Sequence, residues 1–185
     1  MKSFVKNNLP VDSIRRFLEP GPIVLVSSEW KNKRNIMTVG WHTVMGFSPS
    51  LIGCYIWNEN RSFEAIRKSR ECVFNIPTID LMKETIAIGN SEGEDIDKFE
   101  AYGLTPLKGK KIKAPLIKEC YANFECKLYE TKMIKSYNFF VFEVVHAVAA
   151  TTPKFPKTFH YRGDGQFMIS GDSKSMKSQF KPQYL

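Results

Sequence analysis

The 185-residue chain has little of what most enzyme sites are built from: three histidines and four cysteines in all. Cys54, Cys72, Cys120 and Cys126 include no C-x-x-C pair. Cys120 and Cys126 read as sharing one strand face six residues apart. At about 3.3 Å per residue that is roughly 20 Å, too far for one metal or one disulfide. The cysteines therefore read as buried free thiols, and zinc and iron–sulfur sites are set aside. No G-x-G-x-x-G follows a strand and there is no G-x-x-x-x-G-K-[ST], which argues against a Rossmann dinucleotide site and a P-loop. H-E-x-x-H and G-x-S-x-G are also missing, and His42, His146 and His160 form no Ser-His-Asp grouping by spacing. His146 sits in an apolar strand pattern and reads as a structural histidine. The N-terminal "MKSFVKNNLPVDS" has no apolar signal region, so a cytoplasmic protein is expected. The long uncharged run through Asn35–Ile56 is broken by Asn, Thr, His, Ser, Pro and Gly, which makes a poor membrane span.

What is present is a globular composition, 43% hydrophobic and 13% aromatic, of a size for one domain. A single domain over residues 1–185 is expected, with its core at about 12–171 and a polar, basic tail at 172–185. The formal charge is +8. The cations are scattered, with clusters at Lys108–Lys113 and in the tail, which is the pattern of a solvated surface. No helix-turn-helix, zinc finger or RNA motif accompanies them, so neither nucleic acid nor membrane is expected as a partner.

Periodicity predicts a mainly β chain with a few helices. A helix is expected at Val11–Glu19. Strands follow at "IVLVSSE", at "IMTVGWHTVMGF" (one long strand) and at "LIGCYIW", with "KNKRN" and "SPS" as breaks and antiparallel pairing between them. "RSFEAIRKS" reads as a helix capped by Asn60 or Ser62, with Phe63 and Ile66 inward. "CVFNIP" is a short buried strand and "DLMKETIAIG" a helix capped by Asp80. A mobile acidic loop "NSEGEDIDK" and a helical turn at Lys98–Tyr102 follow. From Cys120 to Leu128, Cys120, Ala122, Phe124, Cys126 and Leu128 alternate with Tyr121, Asn123, Glu125, Lys127 and Tyr129, which predicts one wet face. "NFFVFEVVHAVAA" is its buried partner across a turn near "KSYN", and "QFMIS" is the last strand. Seven or so strands argue for a small closed barrel.

Two stretches point to a ligand. "NENRSFEAI" sets Asn60, Arg61 and Ser62 at a helix start, where unpaired N–H groups and the helix dipole favour an anion. An ordinary capped helix with a surface arginine has the same pattern. "NIMTVGWHTV" offers Asn35, Thr38, Trp41, His42 and Thr43 around the small Gly40. Such groups can bond the rim of a flat heteroaromatic ring while apolar neighbours cover its face. Thr and Trp are also good strand formers.

"NIMTVGWHTVMGFSPSL", "NRSFEAIRKSRECVFNIP", "DKFEAYGLTP", "APLIKECYANFECKL" and "HYRGDGQFMISG" occur in the order found in flavin reductase-like proteins, and the chain resembles the flavoredoxin branch of that family from about Gly21 to Gly171. The resemblance implies an antiparallel FMN-binding split β-barrel, a homodimer, and noncovalent FMN near the subunit boundary. It places Asn35, Met37, Thr38, Val39 and Trp41 beside the isoalloxazine or ribityl chain, with Ser48 and the backbone near Pro49 at the strand end. Asn60, Arg61 and Ser62 would hold the phosphate, and Asn75 would support the site from the next strand. Lys98 and Phe99 would cover ring or phosphate, and His160 and Tyr161 would lie on the nicotinamide or acceptor side. Relatives in this family carry Arg, an aromatic residue and then Ser or Thr at the phosphate helix; here the arginine is displaced by one.

The resemblance implies electron transfer from NADH or NADPH through FMN to a second acceptor, with the flavin carrying the chemistry. A flavoredoxin-type carrier reduced by a protein partner is the alternative, and the +8 charge suits an acidic partner such as a ferredoxin. A basic nucleic-acid-binding barrel is the third reading; it predicts salt-dependent binding and no flavin.

Overall fold

Lys31 and Asn32, with φ of 52° and 60°, make a two-residue turn whose twist suits an antiparallel hairpin. They join β1 (Val24–Trp30) to β2 (Lys33–Val39). The turn is thus shorter than "KNKRN", and Lys33, Arg34 and Asn35 belong to the strand. The computed structural model describes residues 21–91 and 96–184. The expected helix at Val11–Glu19 and residues 92–95 of the acidic loop lie outside the described residues.

The long strand expected at residues 36–47 is two strands. β2 ends at Val39 and β3 (His42–Phe47) begins after Gly40 and Trp41, pairing with β4 (Ser50–Tyr55). The remaining strands of the main sheet are β5 (Glu71–Ile76), β8 (Ala122–Glu130) and β9 (Phe139–Ala149), giving the order β2-β1-β5-β8-β9-β4-β3. Its ladders are all antiparallel. β2 and β3 are the two edges of this sheet, yet only two residues separate them. Laid flat, seven strands would hold their edges roughly 29 Å apart. Three trans-peptide steps span at most about 11 Å. The sheet must therefore roll until its edges meet, and the Gly40–Trp41 corner is where the barrel closes.

The barrel interior holds Val24, Val26, Met37, Val39, Phe74, Phe140 and Phe142 together with Cys54, Cys72 and Cys126. Residues of opposite parity, Leu25 and Ile36, face outward into a second cluster with Ile88, Phe99, Ile117 and Cys120. β1 is thus buried on both faces, which is why it reads as a continuous apolar run. All four cysteines are buried thiols. Cys120 precedes β8 and packs outside the barrel, so it does not share a face with Cys126.

Helix α1 (Arg61–Ser69) forms because Asn60 Oδ1 accepts the Ser62 N–H at 2.9 Å and Phe63 and Ile66 point into the core. It ends at Arg70, whose N–H donates to the Ile66 carbonyl from a left-handed conformation. Helix α2 (Met82–Asn90) follows a 3₁₀ turn at Ile79–Leu81. Asp80 lies inside that turn and does not cap the helix. The short α3 (Lys98–Ala101) is capped by Asp97, which accepts the Phe99 N–H.

The predicted wet face of β8 is dry over its first half: Asn123 and Glu125 are buried. The chain between the short strands β6 (Pro106–Leu107) and β7 (Leu116–Ile117) crosses over them. Glu125 accepts N–H bonds from Lys110, Lys111 and Ile112 and binds His146 Nδ1 at 2.9 Å. These bonds are what permit a carboxylate to be buried. The turn expected near "KSYN" is the helical turn α4 (Ile134–Tyr137). The last strand, β11 (Gln166–Ile169), pairs with β10 (Phe159–Gly163) in a separate hairpin outside the barrel sheet. The tail is exposed from Gly171 through residue 183 and forms only short 3₁₀ turns. Among the described residues no helix is long and apolar enough to cross a membrane.

Candidate functional site

Where the barrel closes, the Gly40–Trp41 corner leaves a cleft of about 560 Å³, within the usual range for small-molecule sites. Met37, Thr38, Val39 and Trp41 contribute from β2 and the corner, and Tyr55, Ile56, Trp57 and Asn60 from the β4–α1 connection. Trp41 and Tyr55 are joined twice: the Tyr55 N–H donates to the Trp41 carbonyl at 3.0 Å, and their ring centroids are 5.3 Å apart. The aromatic wall is therefore held in place by the closure itself.

The opposite walls come from α2 and from the β10–β11 hairpin. Thr85, Ile86, Gly89 and Asn90 line the cleft, a spacing that puts them on one helix face. Thr38 Oγ1 donates to the Thr85 carbonyl at 2.7 Å and ties this helix to β2. The hairpin contributes Tyr161, Gly165 and Phe167. Its position is set by a backbone bond from Ile23 to Phe159 at 2.8 Å and by the fully buried Phe159 ring.

A second cleft, about 930 Å³, opens on the other side of the α1 N-terminus. Asn35 and Arg61 line it, along with Trp30, Lys31, Lys33 and Arg34. Arg34 pairs with Asp97 at 2.6 Å and stacks 5.0 Å over Phe99. Asn60 lines the first cleft and Arg61 the second, so the start of α1 is the ridge on which the two meet.

Of the residues singled out from sequence, Met37, Thr38, Val39, Trp41, Asn60 and Tyr161 come together in the first cleft, Asn35 and Arg61 adjoin it, and His42 and Thr43 line neither cleft. Six others are placed differently. Ser62 is fully buried and turned inward: its hydroxyl accepts from Asn35 Nδ2 at 2.9 Å and its N–H goes to Asn60. Its place is beneath the helix start, and the outward group there is Arg61. Ser48 lies in the turn between β3 and β4, at the far end of β3 from Trp41, and lines neither cleft. Asn75 is fully buried and fully used: its amide nitrogen donates to Leu25 O, Ser27 Oγ and Val73 O, and its oxygen accepts from Ile117 N and Asn123 Nδ2. It fastens the segment after residue 114 to the sheet.

Lys98 does not cover the cleft. Its ammonium donates to the carbonyls of Ile88 and Ser91, each at 3.1 Å, and so clamps the C-terminal end of α2, where a cation complements the helix dipole. Burial lowers its pKa, and the charge of Arg61 lowers it further. Phe99 is a core residue, 1% exposed, beneath Arg34. His160 sits beside Tyr161 but lines neither cleft; burial lowers its pKa, opposed by the Gly21 backbone, and His42 and Arg162 lower it further.

Sequence reasoning missed Tyr55, Trp57, Thr85, Gly89 and Phe167. Trp57 directly before the phosphate-helix motif and Gly89 on the inner face of "IAIGN" were the available signals. Thr85 carried none, since a lone threonine in a helix is unremarkable until its surroundings are known.

Two buried polar atoms at these clefts have no partner among the described residues, Thr85 Oγ1 and Asn35 Oδ1. Native structures bond nearly all such groups. Aromatic walls, an apolar floor of Met37 and Val39, unpartnered polar atoms and a helix N-terminus at one end fit a planar polar-rimmed ring carrying an anionic tail. FMN has that shape and charge.

The Flavin reductase like domain family matches residues 15–167 of the chain. A protein of Archaeoglobus fulgidus is 36% identical over 114 residues, which cover 62% of this chain and 64% of that relative. The chain thus spans just under two thirds of its length. Among solved structures, an FMN-binding domain of a flavin reductases-like enzyme from Shewanella baltica is similar at 25% identity and a TM-score of 0.78, covering 94% of this chain and all of that one, 100%. A flavoredoxin from Methanosarcina acetivorans shares the fold at a TM-score of 0.77 and 24% identity, with 100% of both chains covered.

Proposed function

The chain belongs to the flavin reductase-like domain family, and from that premise we propose that it is an FMN-binding oxidoreductase that passes electrons from NADH or NADPH to a flavin, ferric or protein acceptor. Its mainly β, antiparallel split barrel is the family fold. The observation that carries the reading is the cleft at the barrel closure, aromatic on one wall and ending at the N-terminus of α1. When bound, FMN would supply the hydride and electron chemistry. The protein's task is then to bind and orient. Trp41, Tyr55 and Trp57 offer flat apolar surface, and Met37 and Val39 form a dry floor. Asn60 fixes the start of α1 by accepting the Ser62 N–H, and the Arg61 guanidinium at that positive helix end would meet the phosphate. Lys98, bonded to the carbonyls at the C-terminal end of α2, would add positive potential without touching the ligand. Tyr161 and Phe167 on the hairpin border the side on which a nicotinamide or other electron partner would approach.

A flavoredoxin-type carrier, reduced by a protein and not by a pyridine nucleotide, is the second reading. The +8 formal charge favours it, since an acidic redox protein would be steered to this surface. We also infer a homodimer. β3 is an edge strand whose Val44, Met45 and Phe47 are 69%, 48% and 94% exposed, and edges of that kind are normally covered.

The test begins with the visible spectrum after FMN is added and the protein desalted. A retained flavin band is expected; a colourless protein that also shows no FMN binding at equilibrium overturns the reading. NADPH or NADH added anaerobically should then bleach the band within seconds. Bleaching by a reduced ferredoxin but by neither nucleotide would select the carrier. A monomer that retains FMN would refute the dimer.

A further inference from the structure

The wall that α2 presents to the first cleft is apolar except at two positions, Thr85 and Asn90. Thr85 is 1% exposed. A threonine inside a helix ordinarily turns its hydroxyl back onto the carbonyl four residues earlier. Here the Thr85 Oγ1 has no partner among the described residues. Its backbone carbonyl is engaged by Thr38, so the residue is held firmly against β2 while its side-chain oxygen stays unused. One turn further on, Gly89 lines the same wall, and a Cβ there would lie 3.4 Å from the Thr38 side chain. The helix therefore comes close to the strand at its bare glycine and brings one buried hydrogen-bonding group to the cleft that Trp41, Tyr55 and Trp57 also line.

We propose that Thr85 is a specificity-determining residue whose hydroxyl forms a hydrogen bond with the polar rim of the planar ring held in the cleft. This rests on the reading that a flavin occupies the cleft. It assigns to α2 a task the aromatic wall cannot do, which is to distinguish a ring edge carrying carbonyl and N–H groups from a plain aromatic hydrocarbon. A hydroxyl serves either as donor or as acceptor, so it suits a rim that alternates the two. The contact belongs to the ring end of the ligand, not to the phosphate end at α1.

The experiment measures equilibrium dissociation constants for FMN and for riboflavin, which lacks the phosphate, in the wild type, Thr85→Val and Thr85→Ser, together with the melting temperature of each ligand-free protein. Thr85→Val should weaken FMN and riboflavin by the same factor, roughly 5- to 10-fold. Thr85→Ser should stay within about twofold of wild type. Ligand-free Thr85→Val should melt no lower than wild type, because it removes a buried hydroxyl that has no partner among the described residues. Unchanged FMN and riboflavin affinity in Thr85→Val overturns the proposal while leaving the flavin reading intact. So does a loss confined to FMN, an equal loss in Thr85→Ser, or a ligand-free Thr85→Val that melts clearly lower. A wild type that binds neither flavin overturns the flavin reading and this proposal with it.

Discussion

Buried polar side chains gather in two regions of this barrel, and the regions differ in how completely they are bonded. Over β5 and β8, Asn75, Asn123 and Glu125 are buried and every polar atom of Asn75 and Glu125 is used within the protein. At the clefts, Asn35 and Thr85 are also buried, yet each keeps one atom without a partner among the described residues. The first arrangement is what a structural fastening needs, since a half-satisfied network costs more than an apolar one. The second is costly for the isolated chain and becomes favourable only when something else supplies the missing bond. Residue type does not separate the two regions; completeness of bonding does.

The comparison is easiest to break at Glu125. Its carboxylate holds three consecutive backbone N–H groups and His146, with 1% of its side chain exposed. Glu125→Ala should cost about 3–5 kcal/mol of stability in urea unfolding, since four donors lose a buried charged acceptor. The folded fraction should still bind FMN with wild-type affinity; a large drop in affinity would mean that the two regions are not separate. Burial pushes the Glu125 carboxyl up, but the bonds from Lys110, Lys111, Ile112 and His146 outweigh that and hold it below its ordinary 4.5. A depressed folded-state pKa gives stability that is fully present above the unfolded value and lost as pH falls through the folded one. Wild-type stability should therefore decline below about pH 4.5, and Glu125→Gln should flatten that decline. An unchanged acid profile would remove Glu125 from the account.

Arg61 tests the other region. It lines the second cleft at the first position of α1. Arg61→Ala should weaken FMN by about 1.5–3 kcal/mol, the range for a hydrogen bond to a charged group, and leave riboflavin and thermal stability nearly unchanged. Equal losses for FMN and riboflavin would move the phosphate away from α1.

The same contrast explains what could be read from the sequence. The strands, α1 and its Asn60 cap follow from alternation, helical spacing and a capping side chain, all of which are local. Met37, Thr38, Val39 and Trp41 reach the cleft because they lie at a barrel closure that the chain makes in two residues, and Asn60 reaches it as the cap of α1. Asn75, Lys98 and Phe99 carried equally suggestive patterns, but long-range contacts decide their roles: Asn75 meets Ile117 and Asn123, Lys98 meets the end of α2, and Phe99 meets Arg34. Alternation along β8 predicted a wet face because it cannot see the chain between β6 and β7 lying across it. Thr85 was illegible for the converse reason, since what marks it is a bond that its own fold does not make.

Gly89 offers the smallest effect and the finest division between fastening and binding. It sits in the last turn of α2, and an added Cβ would reach ordinary contact distance from Thr38 without a clash. Alanine has the better helix propensity, so Gly89→Ala should raise ligand-free stability by about 0.5–1 kcal/mol or somewhat less near a helix end. The same methyl group occupies space at the cleft wall, so FMN affinity should fall while the melting temperature rises. Opposite signs in one variant would place Gly89 with Thr85 as a residue kept for the ligand at the expense of the fold. Stability and affinity rising together would mean that the wall at α2 is merely packing, and that ligand recognition is confined to the aromatic side and the start of α1.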